Sequence, residues 1–191
     1  MVFRGIVQSE AVPSGLRRLP ALTSSLAVAL LCLAVCAGAS VGTEWKQIVS
    51  SEGAFRVEFP SNPKEGKKDM ETAAGKLTSH SYILEEGPIS FFVSWLEFPA
   101  NYVRRVGSVD ILNGAKEAFF KRFKGKFDRE RTIQLGAAHG RDVAFTSEDD
   151  VKFRLRIFLR GNKLVQTMVM SEPEFIDTPD ANRFLDSLKW D

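Results

Sequence analysis

The sequence predicts an α+β domain: an antiparallel β-sheet of roughly seven to eight strands, flanked by one long central helix and a short C-terminal helix. Three observations carry this. Apolar and polar residues alternate with period two in paired segments separated by turn residues. A single long stretch in mid-chain has helical spacing instead. Strands and helices do not alternate regularly, as a parallel sheet with crossover helices would require.

The first element is a leader rather than part of the fold. Residues 26–37 form an apolar run of twelve that contains both cysteines, Cys32 and Cys36, and Arg17 and Arg18 precede it. A bilayer span needs about 20 apolar residues, whereas a signal-peptide core needs about 7–15 behind a positive segment. Ala37-Gly38-Ala39 offers small residues at the two positions a signal peptidase reads. The pattern predicts a signal peptide over 1–39 with cleavage after Ala39, and one globular domain over 40–191. Two alternatives stay open. Cys36 in Leu33-Ala34-Val35-Cys36 resembles a lipidation site, although Val35 stands where a small residue is expected. Retention of the leader as an anchor is the other.

Removing the leader changes the chemistry open to the rest. No cysteine remains, which excludes disulfides, thiol catalysis and cysteine-based zinc sites. The leader's Arg4, Arg17 and Arg18 against Glu10 account for the whole net charge of +2. A neutral domain has no global field to draw it to nucleic acid or to an anionic membrane. Fourteen of the 15 phenylalanines and all three tryptophans remain as core material, since only Phe3 lies in the leader.

Segments 45–49 and 54–59 predict a first hairpin around Ser50-Ser51-Glu52-Gly53, with Phe55, Val57 and Phe59 alternating against Arg56 and Glu58. Pro60 and Pro63 end it. The charged stretch 64–76 reads as a mobile loop. A second hairpin spans 77–84 and 89–98 around Glu85-Glu86-Gly87-Pro88, and its return strand is apolar on both faces, which places it inside the sheet. The helix covers 109–124, with Ile111, Leu112, Ala115, Ala118, Phe119 and Phe123 as its apolar stripe and Gly125 as its stop. Segments 130–135 and 141–145 form a third hairpin across Gly136–Gly140. In the fourth, Val151, Phe153, Leu155, Ile157 and Leu159 alternate with Lys152, Arg154, Arg156, Phe158 and Arg160. Gly161-Asn162 suits a type II′ turn there, in a register that sets 159 opposite 164 and 157 opposite 166. Thr178 as N-cap, Pro179 at the first helical position and Asp180 beside it announce the closing helix with Ala181, Phe184, Leu185 and Leu188 inward.

In that order of elements the chain resembles PsbP-like domains. The resemblance rests on Trp45 and Gly53-Ala54-Phe55-Arg56-Val57-Glu58-Phe59-Pro60-Ser61-Asn62-Pro63, on the single mid-chain helix, on the hairpin through residues 156–164, and on the ending Phe184-Leu185-Asp186-Ser187-Leu188. The family includes photosystem II extrinsic subunits and DcrB-type bacterial envelope lipoproteins. The resemblance covers about 45–190 and implies an antiparallel sheet with flanking helices and a non-enzymatic accessory role. None of the family's metal-binding or docking motifs maps onto residues here.

Few residues invite chemistry. His80 lies in a strand and His139 in a glycine-flanked turn, neither with a second histidine or a ligand-spaced carboxylate beside it. No nucleophile elbow, phosphate loop or calcium loop is present. Glu148-Asp149-Asp150 reads as a solvated hairpin turn and Asp177 and Asp180 as complements to a helix N-terminus. The feature left is a basic stripe: Lys152, Arg154, Arg156 and Arg160 share one strand face with Phe158, and Lys163 faces them across the turn. Such a stripe suits an anionic polymer or lipid headgroups and is the candidate anion or partner surface.

The expectation is an exported, non-catalytic accessory or binding protein of the bacterial cell envelope, periplasmic or extracellular. It needs no cofactor or metal and meets a protein or envelope component through the stripe. Membrane contact comes only through a retained leader or lipidated Cys36, and nothing fixes the oligomeric state. The rival expectation is a hydrolase or metal-dependent enzyme that assembles His80 or His139 with distant acids such as Glu97 or Asp142.

Overall fold

A computed structural model describes residues 44–191. The leader, the cleavage point after Ala39 and Cys36 lie outside the described residues. No helix among the described residues is long and apolar enough to cross a membrane.

The described residues form an α+β domain, with ten strands in two antiparallel sheets and three α-helices among them. The large sheet has seven strands in the order β3-β4-β5-β9-β8-β7-β6. These are β3 (Lys64–Thr72), β4 (Gly75–Glu86), β5 (Ile89–Glu97), β6 (Lys126–Leu135), β7 (Ala138–Thr146), β8 (Lys152–Arg160) and β9 (Lys163–Ser171). The expected first hairpin, β1 (Lys46–Ser50) and β2 (Phe55–Phe59), does not join it. With β10 (Lys189–Trp190) it makes a separate three-stranded sheet in the order β1-β2-β10.

Helices α1 (Ala100–Val106) and α2 (Ser108–Phe123) lie on one face of the large sheet; α3 (Pro179–Ser187) and the small sheet lie on the other. Strand alternation splits the core accordingly. On β8, Phe153, Leu155, Ile157 and Leu159 pack toward α2, while Phe158 packs with Phe55, Val57, Phe184 and Leu185. Strand β5 does the same, sending Leu96 to the first core and Phe91, Val93 and Trp95 to the second. A sheet buried on both faces explains why its inner strands are apolar on both faces.

The β8–β9 hairpin has the expected register, Leu159 opposite Leu164 and Ile157 opposite Gln166, and Gly161 supplies the positive φ, +61°, that its turn requires. Thr178 caps α3, its side chain accepting from the Ala181 N–H at 3.3 Å, with Pro179 in the first turn.

Four expectations need correction. Residues 64–72 are not a loop but strand β3, laddered along β4 from Lys64–Ile83 to Thr72–Gly75. Their lack of apolar alternation follows from position: β3 is an edge strand, exposed over most of its length. The third hairpin turns on Gly136-Ala137 alone, so Ala138–Gly140 belong to β7 and His139 is a strand residue. Helix α2 stops at Lys124 in the left-handed conformation, φ +47°, before Gly125. Gly125 serves a close approach instead, since a Cβ there would meet the Phe145 ring at 2.6 Å. Finally, α1 precedes the expected helix, its Tyr102 stacked on Phe98.

Candidate functional site

The basic stripe runs along the β8 face that α3 and β10 cover, and the sequence's alternation places it there. The same parity that turns Phe158 into the core turns Arg154 and Arg156 under the helix. Arg154 donates through Nη1 to Asp177 Oδ1 at 3.1 Å and to Asn182 Oδ1 at 2.6 Å, at the N-terminal half of α3. Its side chain is only 10% exposed, and burial holds the guanidinium below its ordinary pKa despite the opposing pull of Asp177. Arg156 donates through Nη1 to the Leu185 carbonyl at 2.7 Å and meets Asp186 Oδ1 at 2.7 Å. It thereby satisfies a carbonyl in the last turn of α3, where the helix has no partner of its own.

The remaining members are engaged too. Lys152 Nζ donates to Thr146 Oγ1 at 2.7 Å and lies 3.7 Å from Asp128 Oδ2. Arg160 donates to the Asp191 backbone carbonyl at 3.1 Å and stands over the Trp190 ring. Lys163 donates to the Glu52 carbonyl and stands over Trp95. The stripe expected as an open contact face is therefore mainly the seat of α3 and of the C-terminal strand. Its stretch from Arg156 to Phe158 lines an open space beside β6.

That space is a cleft of about 430 Å³ between β6 and the C-terminal end of α3. Ligand clefts commonly hold about 300–1,000 Å³. Ile133, Leu135, Phe158, Leu185 and Leu188 give it apolar walls, and Arg131, Asp142, Arg156 and Asp186 supply charge. The centre of the charge is Asp142, whose side chain is 3% exposed. Arg131 Nη2 donates to its Oδ2 at 2.7 Å; Arg156 Nε lies 3.7 Å from the same oxygen, and Arg129 Nη2 lies 4.0 Å from Oδ1. Arg156 Nε is buried and has no hydrogen-bond partner. Arg131 remains 55% exposed, so its outer donors face solvent. A bulge between Phe127 and Arg129 resets the alternation of β6, so that Phe127 meets Phe120 on the α2 side whereas Arg129 and Arg131 stand on the α3 side. Spacing alone gives no sign of that bulge, and nothing in the sequence singles out either arginine.

The histidines do not meet in this cleft. His80 stacks on Trp95 with ring centroids 4.1 Å apart, and its Nδ1 lies 3.8 Å from Glu52 Oε2. With Tyr82 and Glu65 they line a smaller recess of about 160 Å³. His139 is exposed and its ring nitrogen lies 3.3 Å from Gln134 Nε2. On β7 it points to the face opposite Asp142, because the two are three residues apart. Glu97 accepts from Asn162 Nδ2 at 3.0 Å. No histidine is thus brought to Glu97 or Asp142, and no cluster of three or more metal-ligating side chains occurs among the described residues.

No family model and no curated protein matches the chain. Among solved structures it is similar to cyanobacterial PsbP (CyanoP) from Synechocystis sp. PCC 6803, at a TM-score of 0.54 and 11% identity, over 83% of this chain and 99% of that one. A looser likeness, at a TM-score of 0.40 and 13% identity, is to PA94 from Pseudomonas aeruginosa, a protein of unknown function, over 69% of this chain and 85% of that one.

Proposed function

From a PsbP-like fold and a charged cleft, we propose that this chain is an exported accessory protein of the bacterial cell envelope. It works by binding, and the cleft between β6 and α3 is its contact site. The observation that supports this is the cleft itself: a ligand-sized hollow with apolar walls and a guanidinium rim, beside a carboxylate already satisfied internally. Asp142, with Arg129, Arg131 and Arg156 around it, is arranged to hold arginines in place. The leader supplies the route to the envelope, ending in release after Ala39 or in a tether through Cys36.

A photo-crosslinking residue at Asp186, on the cleft wall at the end of α3, tests the reading in cells that express the full chain. The expected result is a discrete adduct from Asp186 that disappears with Arg131→Glu, and no such adduct from a crosslinker at Lys67 on β3. Equal labelling from both positions, or an adduct indifferent to Arg131, would overturn the assignment of the cleft. Intact mass of the isolated protein decides the leader: a chain starting at Ser40 means release, and added diacylglycerol means the tether.

A further inference from the structure

We infer that the free edge of β6 takes up an extended peptide as an additional strand of the large sheet, with acidic side chains beside Arg129 and Arg131 and apolar ones beside Ile133 and Leu135. This rests on the cleft being the contact site and names what occupies it.

Strand β6 ends the sheet, so one side of its backbone has no ladder partner. The bulge interrupts it only at its start, and residues 129–135 then pair with β7 without a break. Such an edge is the template that peptides use when they bind by strand addition. The cleft lies along this same edge, on its α3 side. Arg131 reaches Asp142 on that side, and Ile133 and Leu135 pack against the core beneath α3. Alternate side chains of an added strand would stand on the same face and enter the hollow. The Trp190 indole, donating to the Leu135 carbonyl at 3.0 Å, marks where the run ends.

Charge selects the peptide. Arg129, Arg131 and Arg156 surround Asp142 and Asp186, which leaves one cation in excess. Arg129 and Arg131 are each about half exposed and can take a carboxylate on their outer N–H groups. Charge also argues against a second copy of this chain. Antiparallel pairing of residues 129–135 with the same residues of a second copy would set Arg129 opposite Leu135 and Arg131 opposite Ile133, so neither arginine would gain a carboxylate.

The test uses the purified full chain and fluorescent, end-capped peptides of the sequence Val-Thr-Leu-Thr-Glu-Thr-Glu, in this order and reversed, to serve antiparallel and parallel addition. Fluorescence anisotropy should show saturable binding of one order, weakened at least tenfold when both Glu become Lys. A strand uses the amides of one edge only. N-methylation of one alternate set should therefore weaken binding at least tenfold, and of the other set less than twofold. Arg131→Gln should weaken it at least fivefold; should that variant fail to fold, the peptide series decides alone. Absence of saturable binding, equal tolerance of both N-methyl sets, or full displacement by glutarate at matched carboxylate concentration would each overturn strand addition. A surviving Asp186 adduct would then leave the cleft as the contact site with another ligand. Loss of both would remove the two readings together.

Discussion

Arg131 and Asp142 sit directly opposite one another on β6 and β7, and their side chains close a 2.7 Å ion pair at the mouth of the cleft. One partner is buried and the other half exposed, so the pair is asymmetric. The carboxylate depends on the arginines far more than any one of them depends on it. Asp142→Asn should therefore destabilise the domain by about 1–3 kcal/mol, the cost of disrupting hydrogen bonds to a buried group. It should also make the cleft more cationic and tighten the acidic peptide several-fold. Urea unfolding and peptide anisotropy on the same variant read the two effects in opposite directions. A variant that loses stability and peptide binding together would show that Asp142 only shapes the cleft.

Arg156 links the same carboxylate to the last turn of α3. Arg156→Met keeps most of the stem's packing but strands the Leu185 carbonyl and removes one of the charges around Asp142. We expect a loss of about 1–3 kcal/mol in urea unfolding. Amide exchange should rise in α3 and stay unchanged in α2. Uniform exchange across both helices would mean that the link does not act on α3 in particular.

Much of this architecture is legible in the chain because it is local. The β8–β9 register follows from strict alternation around Gly161-Asn162, and the start of α3 follows from Thr178-Pro179-Asp180. Strand β3 is not legible, since a doubly exposed edge strand has no reason to alternate, and only the neighbouring β4 makes it a strand. The stripe shows the other limit. Arginines at every second residue look like a solvent face until Asp177, Asn182 and Asp186, far along the chain, come down over them. A signal was present in Phe158, which shares that parity and needs a cover. The cover brings the acids. The cleft is least legible of all, because it depends on a bulge and on where a helix ends above a strand edge.

Tyr82 gives the fold an alkaline limit. Burial, assisted by Glu65 and Glu52, raises its phenol above the ordinary value near 10. The unfolded chain therefore loses this proton first. The stabilisation is fully present below the unfolded pKa and is lost as pH rises through the folded one. Thermal unfolding of the wild type should fall more steeply between about pH 9 and 11 than that of Tyr82→Phe, which has no proton to lose. Parallel curves for the two proteins would show that the phenol is indifferent to folding.

Phe184 decides whether α3 stays in place at all. Its ring is fully buried, edge-on to Phe59 at 4.9 Å and to Phe91 at 5.3 Å, so it ties the helix to the small sheet and to the large one at once. Arg154 and Arg156 hold the two ends of α3 by hydrogen bonds that are weak without this burial, because water competes for exposed ones. Phe184→Ala should cost about 3–5 kcal/mol, and Phe184→Leu, which keeps most of the volume, markedly less. If α3 is the outer wall of the cleft, peptide affinity should fall with Phe184→Ala under conditions where the large sheet remains folded by circular dichroism. Undiminished affinity would place the binding contacts on β6 alone, with α3 serving only to cover the stripe.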